Sequence, residues 1–318
     1  MRFSVIIPLY NKSPYVAKAI GSVLAQTFMD YELIVMDDGS KDNSFDVALK
    51  AIEGYRHCHI YRQNNAGVSV ARNVGVSFSR GEYLCFLDAD DWWDPDFLAE
   101  MSKLIEEFPK AGIYGTGYTI VNETKHKTRV APVGVDSGFE RGYIDYCRAY
   151  AKTMYMPLTS ISVAIPRPVF EEIGGFPKGI KLGEDFLLWI HIALKYKVVF
   201  LNKPLAYYNQ DVDVSNRGTQ HIHPPKDHML WNLKDLEQLE KTDADYKQLI
   251  DSLRTYSLLP YYISAEYHEF AQEELNKVEW GKQPFEMQFQ YRQPVWLLRS
   301  SMALKKMGSK LKQIMRSI

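Results

Sequence analysis

Three carboxylates within four positions follow a short apolar run of the sequence. Asp88, Asp90 and Asp91 come directly after residues 83–87, which have the length and composition of a buried strand. Ligands of open α/β sheets bind just outside the carboxyl ends of the strands. Crowded oxygen ligands suit Mg²⁺ or Mn²⁺, which take their remaining ligands from phosphates and water. The run therefore predicts a metal–diphosphate site at the end of this strand.

The same acidic run has a plainer interpretation. Asp91, Asp94 or Asp96 could cap the helix that follows, because aspartate is a preferred N-cap residue. The remaining carboxylates would then be solvated turn residues. Three acids behind one buried strand favour the metal site over this alternative.

Two other places put carboxylates at the edge of a predicted element. Residues 31–36 predict a second strand and are followed by Asp37 and Asp38. The dipeptide Asp-Gly is a turn signal by itself, so Asp38 has both a binding and a turn interpretation. Glu184 and Asp185 precede an apolar helical stretch, where the helix dipole favours a carboxylate. Helix capping is the alternative for that pair.

The order of predicted elements indicates an α/β fold with a doubly wound, mainly parallel sheet. We expect the first strand to end at Pro8, because proline cannot donate to a ladder. The predicted strands are residues 3–7, 31–36, 59–62, 83–87, 111–121, 161–165 and 198–201. The predicted helices are residues 15–26, 45–52, 70–78, 95–108, 169–173 and 187–194. Residues 122–137 are expected to form a surface hairpin or loop, and residues 205–209 to leave the sheet.

Composition and charge limit the class of protein. The chain has 318 residues, of which 46% are hydrophobic and 24% are charged, as in ordinary globular proteins. A formal net charge of −1 argues against nucleic acid as a partner. The three cysteines imply no disulfide framework and fit a reducing cytosol. The N-terminal apolar run is too short for a signal peptide, and no apolar run predicts a spanning helix. We therefore expect a cytoplasmic protein.

The sequence changes in character after about residue 217. We expect residues 1–217 to form one domain and residues 218–318 a helical C-terminal region. Residues 291–318 interleave basic with apolar side chains and contain no acid, which predicts an amphipathic basic helix, or two. Such a helix can lie peripherally on the anionic inner face of a membrane. The alternative is an ordinary helix packed on the domain with a solvated basic face.

Five short motifs occur in one order along the chain. They are VIIPLYN at 5–11, VMDDGS at 35–40, NAG with ARN at 65–73, DADD at 88–91 and GED at 183–185. This series resembles the family 2 glycosyltransferases of the GT-A fold, over residues 3–217. The resemblance makes residues 1–217 a catalytic domain that binds a nucleotide-sugar. The last hundred residues carry no motif of this kind.

The resemblance implies an inverting hexosyltransferase of surface polysaccharide or glycolipid synthesis. The donor would be a nucleotide-diphospho-sugar, with a UDP-sugar favoured, and the acceptor a hydroxyl of a glycan or lipid-linked molecule. A bound Mn²⁺ or Mg²⁺ would neutralise the diphosphate leaving group. A carboxylate would take the proton of the acceptor hydroxyl. Inversion follows from one displacement and needs no enzyme nucleophile.

The resemblance also implies roles on the donor side of the site. Pro8, Tyr10 and Asp38 would line the base and ribose pocket, with Asp38 accepting from the nucleobase. Arg72 would reach the base or the diphosphate, and a solvated helix residue is its alternative. Asp88 would face the ribose.

On the metal and acceptor side, Asp90 would bind the metal, and Asp91 would bind the metal or cap a helix. Asp185 matches the general base of the family, with Glu184 beside it on the acceptor side. Trp189 would line the acceptor pocket or lie in the helix core.

The sequence departs from the family pattern after the last predicted strand. Asn209 and Asp211 stand where relatives often have Arg and His, which help with the metal or the diphosphate. Asp211 could still bind metal, but the pattern for a closing lid is missing. His191 stands where relatives commonly have Arg.

Two other functions remain open at this stage. A metal-dependent sugar nucleotidyltransferase usually carries a glycine-rich basic loop after the first strand, and residues 8–13 lack it. The other open function is that of a non-catalytic nucleotide-binding protein at the membrane. Intact Asp88, Asp90 and Asp185 argue against that possibility.

Overall fold

The computed structural model describes residues 1–211 and 222–300. The chain divides into two units, Met1–His221 with Asp227–Met229, and Ile222–Lys226 with Leu230–Ile318. The predicted boundary between residues 217 and 218 lies outside the described residues.

Strands and helices alternate over residues 3–86 of the first unit, as the sequence predicts, and the later elements follow a less regular order. Its strands are β1 (Phe3–Leu9), β2 (Tyr31–Asp37), β3 (Cys58–Arg62), β4 (Tyr83–Phe86), β5 (Trp92–Trp93), β6 (Ile113–Asn122), β7 (Lys127–Val130), β8 (Arg141–Ile144), β9 (Val163–Pro166) and β10 (Val198–Asn209). Its helices are α1 (Val16–Leu24), α2 (Ser44–Ala51), α3 (Val68–Ser77), α4 (Phe97–Glu107), α5 (Tyr146–Thr153), α6 (Arg167–Ile173) and α7 (Glu184–Lys195).

The described strands form one mixed sheet in the order β3-β2-β1-β4-β9-β6-β10-β5, with β7 on β6 and β8 on β10. β1 is parallel to β2 and β4, β2 to β3, and β6 to β10. β9 runs antiparallel between β4 and β6. The longest pairings are parallel, so the predicted α/β class with a mainly parallel sheet is confirmed.

The core extends along the sheet and includes buried residues of β1, β2, β4, β6, β9 and β10. Every position of β1 and β2 is buried, which explains why both runs are mainly apolar rather than alternating. The buried carboxylate of Glu32 accepts from the hydroxyl of Ser4 at 2.7 Å. On α1, the buried residues Val16, Ala19, Ile20 and Val23 recur at helical spacing. The described cysteines are free and buried, which agrees with the absence of a predicted disulfide framework.

The prediction that β1 ends at Pro8 is wrong. The strand continues through Leu9, whose carbonyl accepts from the N–H of Asp38 at 2.8 Å. Alternate residues of a strand bond to opposite neighbours, so Pro8 faces the same side as Ile6, which pairs with Phe86 at the end of β4. Because β4 has ended there, no donor is required from Pro8.

β10 is longer than predicted. The sequence predicts a strand over residues 198–201 and an exit over residues 205–209, but pairing with β6 continues to Asn209. The register shifts on either side of Pro204, so a local irregularity accommodates the residue that cannot donate.

Between β6 and β9, one prediction is confirmed and one strand begins later than predicted. The predicted hairpin over residues 122–137 is confirmed, because β7 pairs antiparallel with β6. The strand predicted at residues 161–165 begins two residues later, because Ser160–Ser162 form a 3₁₀ turn. Thr159 closes that turn through reciprocal hydrogen bonds with Ser162.

The second unit is helical, as predicted for the C-terminal region. Its α-helices are α8 (Leu239–Thr242), α9 (Ala244–Ser257), α10 (Leu259–Ile263), α11 (His268–Leu275) and α12 (Phe285–Tyr291). Buried Arg254 ties this unit together, because it pairs with Glu240 at 2.7 Å and Glu274 at 2.9 Å. Across both described ranges, the helices are too short or too polar to cross a membrane.

Candidate active site

The carboxyl ends of β1, β2 and β4 meet at one edge of the sheet. Ile6 pairs with Phe86, and the last residues of β1 pair with the last residues of β2. The segments that follow these strands, residues 10–12, 38–40 and 88–91, therefore lie near one another. The motifs predicted to bind nucleotide and metal occupy this edge.

The carboxylate of Asp38 is buried and holds the loop that leads into α3. It accepts hydrogen bonds from the side-chain amides of Gln63 at 2.7 Å and Asn65 at 3.1 Å. It also accepts from the backbone N–H groups of Ala66 and Gly67, both at 2.8 Å. A nucleobase donor would have to share an oxygen with one of these groups or replace it.

Pro8 and Tyr10, also predicted for the base pocket, differ in access. Pro8 is buried within β1, whereas Tyr10 is 39% exposed in the loop that follows. That loop is fixed to the one after β2. The N–H of Asn11 donates to Ser40 Oγ at 3.1 Å, and Asn11 Oδ1 accepts from the N–H of Lys41 at 2.8 Å.

Asp90 forms an ion pair with Lys12, a residue that sequence reasoning did not place in the site. Lys12 Nζ lies 2.7 Å from Asp90 Oδ2, and the two side chains are 18% and 19% exposed. Burial raises the pKa of Asp90, Lys12 lowers it and Asp88 raises it, which leaves it above its ordinary value. The sequence contained one signal for this role, because Lys12 lies only three positions after the end of β1.

Asp91 is buried and does not cap α4. Its Oδ1 accepts from the backbone N–H of Asn209 at 2.7 Å. Burial and the neighbouring carboxylates raise its pKa well above the ordinary value. Asp96 occupies the N-cap position of α4 without a capping hydrogen bond, and Asp94 accepts from the N–H of Asp96. The capping interpretation of Asp91 is therefore wrong.

Arg72 joins the carboxylates of two motifs. Its side chain is 3% exposed and donates to Asp88 Oδ1 at 2.7 Å and Glu184 Oε1 at 3.0 Å. It also donates to the Ser160 hydroxyl at 3.1 Å and lies 4.8 Å above the Phe176 ring. Burial alone lowers the pKa of Arg72, but Asp88 and Glu184 raise it above its ordinary value. The interpretation of Arg72 as a solvated helix residue is wrong.

Asp185 lies in the first turn of α7, beside Glu184. The helix begins after Gly183, whose φ of 83° is one that residues with a side chain rarely adopt. Asp185 Oδ1 accepts from the N–H of Phe186 at 2.8 Å. Burial raises the pKa of Asp185 to about 7, with a further rise from Glu184 and an opposing effect of Arg72. A carboxylate with this pKa is suited to accept a proton near neutral pH.

Comparison of the sequence with known proteins shows the family to which the chain belongs. The sequence profile of glycosyl transferase family 2 matches residues 4–173. The chain belongs to this family. Glycosyltransferase GlyA of Streptococcus pneumoniae is 31% identical over 263 residues, which are 79% of this chain and 37% of GlyA. The chain spans between 26% and 63% of the length of the curated relatives it matches.

Solved structures share the fold of this family 2 chain. TarS 1-349 of S. aureus, in complex with UDP-GlcNAc, superposes with a TM-score of 0.68 at 20% identity, over 87% of this chain and 79% of that chain. Mannosyltransferase PcManGT from Pyrobaculum calidifontis, in complex with GDP-Man and Mn²⁺, gives 0.50 at 15% identity, over 87% and 85%. These likenesses confirm the predicted GT-A architecture.

Two side chains of α7, Trp189 and His191, make contacts within the protein interior or within the helix itself. Trp189 is fully buried with its ring 5.8 Å from that of Phe176, so it lies in the core rather than in an acceptor pocket. His191 Nδ1 lies 2.6 Å from the carbonyl oxygen of Leu187, one turn earlier. The apolar spacing of α7 therefore serves packing.

Asp211 fixes the turn between β6 and β7. It accepts from the backbone N–H of Glu123 and from the hydroxyl of Thr124, the latter at 2.6 Å. Asn209 Oδ1 accepts from the N–H of Asp211 at 2.9 Å. In this conformation Asp211 serves the hairpin. Residues 212–221, which follow Asp211, lie outside the described residues.

The donor chemistry of the acidic motif suits a divalent cation. Among the described residues, three or more His, Cys, Asp or Glu side chains nowhere gather as a ready-made metal cage. Mg²⁺ and Mn²⁺ need only one or two carboxylates when phosphates and water supply the other ligands. Asp90 and Asp91 place two carboxylates side by side after the carboxyl end of β4, so the residues present fit such an ion.

Proposed function

We propose that the chain is an inverting glycosyltransferase that moves a sugar from a nucleotide-diphospho-sugar to an acceptor hydroxyl. The observation that carries this proposal is the double ion pair of Arg72, which holds Asp88 after β4 and Glu184 at the start of α7. A donor-side carboxylate is thereby fixed relative to the motif that carries Asp185. Fixed positions for donor and acceptor are what a direct displacement requires.

A UDP-sugar is the donor that we favour. Tyr10 is 39% exposed at the end of β1 and is available to a base, while Pro8 forms the buried floor beside it. The complexes of TarS with UDP-GlcNAc and UDP support a uridine nucleotide. Because Asp38 already holds the loop before α3, its part in the pocket is to fix that loop and to share an oxygen with the base.

Mn²⁺ or Mg²⁺ would be held by Asp90, with Asp91 as the neighbouring ligand. The metal, when bound, supplies charge neutralisation for the diphosphate leaving group. Asn209 orients Asp91 through its backbone N–H. Asp88, held by Arg72 and by the Ser160 hydroxyl at 3.3 Å, faces the ribose. The complex of PcManGT with GDP-Man and Mn²⁺ supports this assignment.

Asp185 is the general base that we assign to the acceptor side. An acceptor hydroxyl has too high a pKa to attack unaided, so its proton must move to a carboxylate as the new bond forms. Burial and Glu184 raise the pKa of Asp185, and Arg72, which pairs with Glu184, lowers it. One displacement with the base opposite the diphosphate gives inversion.

The first experiment tests metal-dependent use of the donor. Purified protein should slowly release UDP from a UDP-sugar in the presence of Mn²⁺. We expect Asp90→Asn to reduce this release at least tenfold, because one ligand charge is lost where phosphate charge must be neutralised. Asp46→Asn, an exposed aspartate on α2, should release UDP at the wild-type rate.

Other outcomes of that experiment favour the two other functions. Equal release by wild type and Asp90→Asn would contradict the metal assignment. Release of pyrophosphate from a nucleoside triphosphate and a sugar phosphate would indicate a nucleotidyltransferase. Nucleotide binding without turnover on any acceptor would indicate a non-catalytic protein.

The acceptor that we favour is a growing glycan or glycolipid at the inner face of the membrane. Residues 1–217 would form the catalytic domain and residues 291–318 a peripheral membrane contact. Near the start of that basic segment, the rings of Phe285 and Phe289 stack on α12 and are 74% and 56% exposed. Trp296 follows at 67% exposed. Aromatic side chains next to a basic segment suit an anionic lipid surface. Residues 301–318 of the predicted tail lie outside the described residues.

Vesicle binding tests this membrane contact. Wild-type protein should sediment with vesicles that contain phosphatidylserine, and Phe285→Ser with Phe289→Ser should weaken binding by about 10- to 100-fold, because two apolar rings are lost. The matched control is Phe270→Ser, a 48% exposed phenylalanine on α11. Equal binding of the double variant, or equal binding to neutral vesicles, would contradict the proposal.

A further inference from the structure

Lys12 is aimed at the acidic motif by a loop that is fixed at several points. Its backbone N–H donates to Ser44 Oγ at 2.7 Å, and the neighbouring Asn11 bonds to the loop after β2. Asn11 itself has a φ of 51°, a left-handed conformation that turns the chain at this point. The direction of the Lys12 side chain is therefore set by the fold and not by the ion pair alone.

The ammonium of Lys12 balances only part of the charge near Asp90. Three carboxylates, Asp88, Asp90 and Asp91, lie in this segment, and Asp88 already has its own cation in Arg72. Lys12 is 2.7 Å from Asp90 Oδ2 with both side chains largely buried, so it occupies one oxygen of the residue assigned to the metal. A divalent cation and an ammonium cannot both take that position.

We propose that Lys12 holds Asp90 in the metal-free enzyme and leaves it for the donor diphosphate when a divalent cation binds Asp90. This inference rests on the proposed function. Lysine suits both positions, because its ammonium is a point charge on a flexible four-carbon stem. Lys12 is then a diphosphate-binding residue, and its ion pair lowers the affinity of the site for metal when no donor is present.

The proposal predicts that Lys12→Met binds Mn²⁺ more tightly than wild type but binds UDP more weakly. Lys12→Met removes the competitor for Asp90 and keeps the length of the side chain. Without nucleotide, Mn²⁺ should bind Lys12→Met about 3- to 10-fold more tightly than wild type, as measured by the free-ion signal in electron paramagnetic resonance. With saturating Mn²⁺, UDP should bind the variant about tenfold more weakly by calorimetry, because a charge-assisted contact is lost.

Controls separate this proposal from the proposed function. Lys41→Met changes an exposed lysine of the neighbouring loop and should alter neither affinity. Unchanged or weaker Mn²⁺ binding by Lys12→Met would overturn the exchange, and wild-type affinity for UDP would overturn the diphosphate contact. If Asp90→Asn binds Mn²⁺ as wild type does, the metal assignment fails instead. If UDP binds neither wild type nor Lys12→Met, the donor assignment fails. The Mn²⁺ titration alone then decides the role of Lys12.

Discussion

Replacing Asp185 with asparagine should reduce sugar transfer by about 10²- to 10⁴-fold, the contribution typical of a general base. Asparagine keeps the shape of the side chain, but it cannot accept the proton of the acceptor hydroxyl. Binding of UDP and Mn²⁺ should stay within about threefold of wild type, because Asp185 lies on α7 and not at the ends of β1, β2 or β4. The loss should therefore appear in kcat rather than in donor affinity.

The pH profile gives a second measure of the same residue. The pKa of Asp185 is raised to about 7, so the base is protonated and inactive below that pH. Transfer should rise about tenfold per pH unit up to about pH 7 and level off above it. An unperturbed aspartate would give a plateau already above about pH 5.

The controls for this prediction are a neighbour and a distant residue. Glu184→Gln removes the carboxylate that raises the pKa of Asp185 and should move the rise to lower pH. Asp46→Asn should leave both rate and profile unchanged. Full activity of Asp185→Asn, or a profile that is flat from pH 5 to pH 8, would exclude Asp185 as the base.

The sequence predicts the sheet well because burial and spacing are local properties. The runs that became β1, β2 and β4 are mainly apolar, and α1 shows its buried face at helical spacing. Two of the errors lie at prolines. Pro8 and Pro204 cannot donate to a ladder, but the cost depends on whether the neighbouring strand still needs a donor at that position. Whether a donor is needed depends on the neighbouring strand, which is β4 for Pro8 and β6 for Pro204.

The candidate site was predictable only as a set of motifs. Asp38 and Asp90 could be selected because each follows a predicted strand. The residues that bind them could not be predicted. Asp38 is saturated by a loop that begins 25 positions later, and Asp90 is paired with Lys12, 78 positions earlier. Contacts at such separations come from strand order and register, which no local pattern contains.

Arg72 is the clearest example, and removing its charge should destabilise the first unit strongly. Arg72→Met leaves Asp88 and Glu184 without their shared cation, and breaking a buried ion pair in this way costs about 3–5 kcal/mol. We expect the free energy of unfolding, measured in urea, to fall by that amount. Arg56→Met, at an exposed arginine, should change it by less than about 0.5 kcal/mol.

A double variant separates charge from packing at Arg72. If the loss comes from the uncompensated carboxylates, Arg72→Met with Glu184→Gln should recover part of it, because one of the two acids is then neutral. If it comes from lost packing on Phe176, the second change should add its own cost and recover nothing. A fall of less than about 1 kcal/mol in Arg72→Met would show that water reaches both carboxylates, in which case Arg72 cannot fix Asp88 relative to α7.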